Sequence, residues 1–566
     1  MTSFHEDVET VLAQLENVDL PHPSGPLLSS FVTEAVDPTS AARYVSTRML
    51  AGETRSAVSD WAFIVESITE KGRRPSSPDA VIQHNITRRD GNMCCITGKA
   101  GTRKDPLLVT PILPLPTGWT ANQDHITDML GAFFGPRYRD WWLSYARNPE
   151  SMSHYCNHWL VRTSAAKAYA RGLVKLDRMQ PSMVEYHVNP VYIGPEDPVE
   201  VDGPYALLGD HSRTGIQKVD PRFVGTHARL CKSIRYVEIA REIAPEILYP
   251  SSSSPDRQAT LRPSKPASGR TPSSPSSFFS SGILLSVWLM FPSRLRMVAY
   301  DVLRNVGERL YGKPNDYSTV QRLPFGLYLK YQGDPAGFRN EFNALQTARR
   351  HTSVPVPRPL DVVVKKSKSD GPFSSQAYLL ITRLPGVPLS RYQDVLSDRD
   401  CEHIAAQLRD YLAQLRDIPR PTSADPDLPI CDTLGSACRD PRIRSGDPVG
   451  PFPDETAFNQ VLRFPDDPAR RGHKIVFTHA DLNPRNILID RVTDGDAGGG
   501  WRVTGIVDWE NAGWYPEYWD YTKALFEGFR WTRRYVRMVK GVFAGLGDYS
   551  KELVVETRSW ESGDGI

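Results

Sequence analysis

The sequence predicts an α+β protein in which a disordered Ser/Pro-rich linker joins two folded regions. The chain has 566 residues, which is more than a single hydrophobic core usually serves. Ser or Pro occupies 18 of the 33 positions in 250–282, and such a segment buries too little apolar surface to offset its ordering entropy. Beyond it, 283–566 shows short strand patterns followed mostly by helical ones.

We therefore expect four parts. These are a helical region at 1–80, a mixed α+β domain at 81–249, the linker at 250–282 and a second mixed domain at 283–566. A gene model that fuses two adjacent genes would also contain such a segment, so that origin stays open.

Charge and cysteine content narrow the function classes. Lys and Arg number 68 against 66 Asp and Glu, so the net charge gives no reason to expect a nucleic-acid partner. The seven cysteines form no C-x-x-C pair, and the first residues lack the pattern of a signal peptide. The apolar run at 283–291 is too short to span a bilayer. We expect a cytoplasmic protein with reduced thiols and no membrane segment.

The second region begins with an amphipathic helix. Its apolar residues recur at three- and four-residue steps between a possible Ser293 cap and a stop at Gly312. Strand patterns follow at 318–323 and 325–331, a helical pattern at 338–350, and further strand patterns at 360–364 and 376–384.

Chemistry-bearing residues cluster in 479–510. His479, Asp481 and Asn486 follow the spacing H-x-D-x-x-x-x-N, and Asp508 comes 22 residues after Asn486 between apolar neighbours. Phosphoryl transfer needs a carboxylate to deprotonate the acceptor hydroxyl and oxygen ligands to hold Mg²⁺ against the triphosphate. Asp481 is placed for the first task, and Asn486 and Asp508 are placed for the second. An H-x-D pair alone is usually an ordinary loop, and only the full set favours catalysis.

The strings HADLNPRNILID at 479–490 and IVDWENAGWYPEYWD at 506–520 resemble the aminoglycoside phosphotransferase and choline kinase family, especially its fungal members. The resemblance implies a bilobal, protein kinase-like fold, with ATP and Mg²⁺ as cofactors and a small-molecule hydroxyl as acceptor. It also implies that His479 and Asp520 are structural residues that brace the catalytic loop.

Lys330 lies where this family keeps its phosphate-binding lysine. Strand alternation sets it on the face opposite Leu327 and Leu329. Glu341 lies on the apolar stripe of the next predicted helix, so its carboxylate needs a partner, and Lys330 is the obvious candidate. The alternative is a pair of solvated surface charges.

Other expectations rest on the resemblance alone. The adenine-binding hinge is expected at 381–384, with Thr382 and Leu384 as contacts. No G-x-G-x-x-G is present, and 311–318 is its nearest substitute. The segment 419–471 lies where the family places acceptor-specific elements. The basic residues in 530–540 are expected to form a solvated face, with an anionic-substrate pocket as the alternative.

The N-terminal region resembles fungal HNH-type nuclease domains, which have a ββα-metal fold. The similarity begins at 85–98, NITRRDGNMCCITG. Thr110 occupies the position expected for the first histidine, and only Asn157 of the expected metal site remains. His154 and His158, with Cys94 and Cys95, match no zinc pattern. We therefore expect a decayed nuclease-like domain with a scaffold or interaction role.

The leading hypothesis is an ATP- and Mg²⁺-dependent small-molecule kinase. A catalytically inactive interaction protein is the first alternative, and an active HNH endonuclease is a weaker one. Neither the acceptor nor the oligomeric state can be read from the sequence.

Overall fold

A computed structural model describes much of each predicted region. The described residues are 2–115, 124–148, 152–182, 184–196, 199, 201, 205–208, 214–248, 282–313, 319–332, 334–365, 376–421, 425–492, 500–526, 531–562 and 566. The chain divides into two units, Met1–Leu261 with Asp394–Asp398 and Arg262–Gln393 with Arg399–Ile566. Apart from Gly282, the predicted linker at 250–282 lies outside the described residues.

The first unit combines helices with two small antiparallel sheets, β1-β2 and β3-β4-β5. Its helices are α1 (Thr2–Asn17), α2 (Ser24–Glu34), α3 (Pro38–Leu50), α4 (Thr54–Thr69), α5 (Ala80–Arg89), α6 (Asp124–Phe134), α7 (Pro136–Arg147), α8 (His154–Asn157), α9 (Thr163–Ala170) and α10 (Pro221–Ile243). Its strands are β1 (Leu107–Pro111), β2 (His158–Arg162), β3 (Val174–Arg178), β4 (Glu185–Pro190) and β5 (Tyr205–Leu207).

The predicted parts 1–80 and 81–249 share one hydrophobic core. Trp61 on α4 is fully buried, and its ring centroid lies 4.5 Å from that of Phe133 on α6. Phe31 on α2 also packs against both rings. The helices of 1–80 therefore bury their apolar faces against 81–249 instead of forming a core of their own.

The strand pair β1-β2 leads into α9, and Thr110 on β1 lies opposite Trp159 on β2. The buried Asn157 side chain bonds to the Leu113 backbone and to the Tyr145 hydroxyl, which is a structural role. Within the described residues, the first unit contains no cluster of three metal-ligating side chains. The decayed HNH-like domain stays a prediction.

The second unit contains the predicted strands and helices and several more. Its helices are α11 (Gly282–Met290), α12 (Ser293–Tyr311), α13 (Pro335–His351), α14 (Leu389–Tyr392), α15 (Asp398–Arg416), α16 (Glu455–Asn459), α17 (Trp519–Phe526), α18 (Arg533–Phe543) and α19 (Ser550–Glu561). Its strands are β6 (Val320–Leu323), β7 (Leu327–Tyr331), β8 (Pro359–Lys365), β9 (Gln376–Thr382), β10 (Val387–Pro388), β11 (Cys431–Asp432), β12 (Ile475–Thr478), β13 (Ile487–Arg491), β14 (Trp501–Ile506) and β15 (Gly513–Pro516).

An antiparallel sheet of order β6-β7-β9-β8 forms the N-terminal lobe of this unit. Leu327 and Leu329 on β7 pack with Tyr300 of α12 in one apolar cluster. Lys330 points to the other face, where it meets α13. The predicted alternation along this strand is therefore confirmed.

Helix α12 follows the predicted range, but the predicted Ser293 cap is absent. Ser293 lies inside the helix and makes no cap, and Gly312, with φ of 84°, ends it. The apolar stripe is exposed, with Val298 at 62% and Leu310 at 60%. Polar anchoring explains this orientation, because the Tyr300 hydroxyl donates to Asp361 Oδ2 at 2.5 Å on the sheet side.

The C-terminal lobe contains two small sheets, β10-β13-β14 and β11-β15-β12, together with α15 and α17 to α19. In the described part of the chain, no helix is both long and apolar enough to cross a bilayer.

Candidate active site

Two antiparallel pairings bring the motif residues together. Ile487 on β13 lies opposite Ile506 on β14, so Asn486 and Asp508 meet at the same end of that hairpin. The Val507 N–H donates to the Asn486 carbonyl oxygen at 2.9 Å and closes this end. Separately, Thr478 on β12 lies opposite Gly513 on β15, which sets the loop after β12 beside the segment that follows Asp508.

His479 braces this loop from within. Its fully buried ring donates from Nε2 to the Val507 carbonyl oxygen at 2.9 Å, and its Nδ1 accepts from the Asp481 N–H at 3.2 Å. The ring also packs edge-on against Trp509, with centroids 4.6 Å apart. Burial lowers the pKa of His479, which favours the neutral form. A ring with both nitrogens engaged is a structural residue, as the resemblance implied.

The loop backbone is held in a strained form. Ala480 has φ of 61° and Asp508 has φ of 69°, both in the left-handed region that non-glycine residues seldom adopt. Asp520 on α17 accepts from the N–H groups of His479 and Ala480, at 3.2 and 2.8 Å. Such strain persists where surrounding bonds fix the backbone, and it concentrates at functional sites.

The Asp481 carboxylate is partly buried and has polar neighbours. Oδ2 accepts from Asn486 Nδ2 at 3.0 Å, and the same amide donates to the Asp481 carbonyl oxygen at 2.9 Å. The side chain is 22% exposed. Burial raises the pKa of Asp481, and the nearby Lys523 ammonium opposes that rise.

Lys330 joins the predicted partner Glu341 and also Asp508. Its Nζ lies 2.7 Å from Glu341 Oε2 and 2.5 Å from Asp508 Oδ1. Burial alone would lower the pKa of Lys330, but these carboxylates and that of Glu510 raise it above its usual value. The same ammonium lowers the pKa of Asp508. The solvated-charge alternative is wrong for Glu341, which is fully buried.

Glu510 is a site residue that the sequence reasoning quoted but did not assign. One carboxylate oxygen from each of Glu341, Asp508 and Glu510 lies within 4.8 Å of the others. Burial and the neighbouring Asp508 raise the pKa of Glu510 to about 7. Clustered carboxylates, in a cavity that Asn486 also lines, are the hard oxygen donors that Mg²⁺ prefers. The donor set therefore fits the predicted ion.

The predicted catalytic and metal residues line one cavity of about 700 Å³ together with Lys330. Its described lining is Thr319, Val320, Lys330, Asp334, Gly337, Phe338, Arg439, Asp440, Pro441, Gly446, Asp481, Asn483, Arg485, Asn486, Asp508, Glu510 and Asn511.

Thr382 and Leu384 are absent from this described lining. The Thr382 backbone N–H donates to the Arg358 carbonyl oxygen at 3.0 Å, and its hydroxyl oxygen accepts from the Arg358 N–H at 2.8 Å. Leu384 lies over Gly505, where an added Cβ would come within 2.6 Å of Leu384 Cδ1. The predicted hinge residues therefore contact Arg358 and Gly505. Their role toward adenine stays a prediction. Most of the predicted phosphate-covering loop, 314–318, lies outside the described residues.

The segment 419–471 reaches the cavity, and its role toward an acceptor stays a prediction. It contributes Arg439, Asp440 and Gly446. The Arg439 guanidinium lies 3.4 Å from Asp334 Oδ2. Arg533, Arg537 and Lys540 on α18 are exposed and stand outside the described lining, whereas Arg530 lies outside the described residues.

Comparison with protein families matches residues 329–552 to the APH family, a phosphotransferase enzyme family. The matched stretch includes Lys330, Glu341, Asp481, Asn486 and Asp508. The C-terminal half therefore carries a kinase-like domain of this phosphotransferase family, in a protein of mixed helix and sheet.

A comparison with curated proteins gave no significant match. Among solved structures, the chain is similar to aminoglycoside phosphotransferase APH(4)-Ia, at 15% identity and a TM-score of 0.28, over 42% of this chain and 76% of that chain. It is similar to the GDP complex of aminoglycoside 2'-phosphotransferase-IIIa, at 15% identity and a TM-score of 0.29, over 43% and 82% of the two chains. It is also similar to macrolide 2'-phosphotransferase MphH from Brachybacterium faecium, at 17% identity and a TM-score of 0.26, over 44% and 84%.

Proposed function

We propose that the C-terminal domain transfers the γ-phosphoryl group of ATP, with Mg²⁺, to a hydroxyl group of a small molecule. The observation that carries this proposal is a single cavity that contains Asp481, Asn486, Asp508 and Lys330. The family match over 329–552 supports the same reaction class. A nucleotide-dependent enzyme whose cysteines are expected to be reduced fits a cytoplasmic location.

Asp481 is the base in this proposal. Its carboxylate accepts the proton of the acceptor hydroxyl while the hydroxyl oxygen forms a bond to the γ-phosphorus and ADP leaves. Asn486 orients Asp481 through its Nδ2 group, which leaves the Asn486 amide oxygen available as a ligand.

Asn486 and Asp508 would hold Mg²⁺, with Glu510 as a further oxygen donor. The ion supplies positive charge against the phosphate oxygens when bound. Lys330 contacts the α- and β-phosphates, and Glu341 keeps its ammonium in place. Lys330 lies 2.5 Å from Asp508, so it would give up this contact on reaching a phosphate group.

The test is ATP consumption by the full chain with a panel of hydroxyl compounds that includes amino sugars, macrolides, simple sugars and amino alcohols. D481A is expected to lower turnover by ~10²–10⁴-fold, with the affinity for MgATP retained. D140A is the matched control, because the Asp140 side chain is 64% exposed and belongs to the first unit, outside the described lining. Equal ATP consumption by the wild type and D481A across the panel would contradict the assignment.

A further inference from the structure

A lysine that the reaction scheme does not use lies directly against the proposed base. Lys523 on α17 places its Nζ 3.4 Å from Asp481 Oδ1 and 3.6 Å from Asp440 Oδ1. Its side chain is only 10% exposed. A buried ammonium between two carboxylates is held in place more firmly than a surface lysine, because leaving the pair would strand the charges.

Asp440 is a rigid anchor for this lysine. Its side chain is fully buried, accepts from Arg442 Nη2 at 2.9 Å, and accepts from the Trp519 indole N–H at 3.0 Å. Arg442 is in turn held by Glu556 Oε2 at 2.9 Å. A series of contacts therefore connects Asp440, in the segment 419–471, through Lys523 to Asp481.

Helix α17 holds the catalytic loop at two points. Asp520 bonds to the loop backbone at His479 and Ala480, and Lys523 contacts the side chain of Asp481. Residues three apart lie on the same face of a helix, so one short helix can present both groups to the loop. Asp520 fixes the backbone, and Asn486 and Lys523 are then the two groups that contact the carboxylate oxygens and define its rotamer.

The two oxygens of Asp481 have different neighbours. Asn486 donates to Oδ2, whereas Lys523 lies beside Oδ1. Lys523 is the cation with the largest effect on this carboxylate, whereas Asp508, Asp440 and Glu510 act on it as like charges. Without it, the carboxylate would face these like charges and would turn away from them.

We propose that Lys523 is a positioning residue for the phosphoryl transfer assigned above, on which this inference rests: anchored by Asp440, it holds the Asp481 carboxylate toward the acceptor hydroxyl. A geometric role of this kind affects turnover more than nucleotide binding, because a displacement of ~1 Å at the reacting group can lower the rate by ~10²-fold.

The first test compares K523M with K523R in steady-state kinetics, using MgATP and the most reactive acceptor from the hydroxyl panel. K523M is expected to lower kcat by ~10–100-fold with KM for MgATP within about twofold. K523R keeps the charge and is expected to recover part of that loss. K551M is the control, because Lys551 is exposed on α19.

A second test separates positioning from general support of the fold. If Lys523 acts through Asp481, K523M adds little further loss in a D481N background, because the group it positions is already disabled. Thermal unfolding of the wild type, K523M, D481N and the double variant K523M/D481N gives a measurement that does not depend on activity. K523M is expected to lower Tm, and D481N is expected to restore part of the loss by removing the unpaired charge.

An active K523M enzyme with wild-type kcat overturns this inference and leaves the proposed function standing. An equal fold-loss from K523M with and without D481N also overturns it, since Lys523 would then act on the fold alone. A wild-type protein that turns over no ATP contradicts the proposed function, and this inference fails with it.

Discussion

Glu341→Gln tests the buried ion pair of the candidate site. The substitution keeps the shape of the side chain and removes its charge. Glu341 is fully buried, and the Lys330 side chain is 9% exposed. Removing one partner of such a pair costs about 3–5 kcal/mol when the remaining charge has no other partner.

Here Lys330 keeps a second partner, because Asp508 Oδ1 lies 2.5 Å from its Nζ. The loss is then closer to one charge-assisted hydrogen bond, about 1.5–3 kcal/mol. At about 2–4 °C per kcal/mol for a domain of this size, we expect Tm to fall by roughly 3–12 °C.

The second consequence concerns nucleotide affinity. Without Glu341, Asp508 becomes the main partner of Lys330, which would hold the ammonium away from the phosphates. We expect the Kd for MgATP to rise by about tenfold, which corresponds to ~1.4 kcal/mol. Thermal unfolding and titration calorimetry measure the two effects, with E402Q as the control on the exposed side of α15. An E341Q variant with wild-type Tm and wild-type Kd would show that Glu341 neither stabilises the fold nor holds Lys330 in place for the phosphates.

Two further predictions concern stability. Burial would lower the pKa of His473, but hydrogen bonds to Glu455 and Glu552 raise it overall. Its ion pairs therefore stabilise the fold fully below the unfolded pKa of about 6.5, and that stabilisation is lost as pH rises through the higher folded pKa. We expect H473Q to lower Tm more at pH 6 than at pH 9, by on the order of 2–4 °C, and an equal Tm deficit at both values would contradict this. Gly505→Ala would bring a Cβ within 2.6 Å of Leu384 Cδ1, an overpacking worth about 1–3 kcal/mol. L384A should recover part of the G505A loss in denaturant unfolding, and a G505A protein as stable as the wild type would show that the two lobes do not pack closely there.

Local pattern was enough to predict that Asp481, Asn486 and Asp508 lie close together and that a strand bears Lys330. The spacing from His479 to Asp508 needs only one strand on each side of a hairpin, and the alternation in β7 depends on adjacent residues. Both signals are short in range, so the sequence contains them directly.

Long-range partners could not be predicted in this way. Asp440 and Lys523 are 83 positions apart, and nothing in the spacing relates them to Asp481. The step of three residues from Asp520 to Lys523 places both on one face of α17, but no helix was predicted there from the sequence. Glu510 stood inside the quoted motif, but the spacing gave no sign that its carboxylate lies beside those of Glu341 and Asp508.

The sequence was less informative about which helix faces are buried than about the motifs. The periodicity of α12 predicted an amphipathic helix but not which side is buried, and the buried side is set by Tyr300 and Arg296, which bond Asp361. The segment 1–80 was predicted only as a helical region, and nothing in its periodicity shows that Trp61 packs into one core with residues of 81–249. In both cases tertiary partners decided a choice that helical periodicity leaves open.

In the proposed reaction, a phosphoryl group moves from ATP to a small-molecule hydroxyl at Asp481. The most direct measurement follows γ-labelled ATP in single turnovers with the wild type and D481A, and separates inorganic phosphate from phosphate ester. We expect the wild type to form one ester per ADP released and D481A to form ester ~10²–10⁴-fold more slowly. Label that appears only as inorganic phosphate would contradict transfer to a hydroxyl. Ester that forms equally fast in D481A would contradict the role of Asp481 as the base.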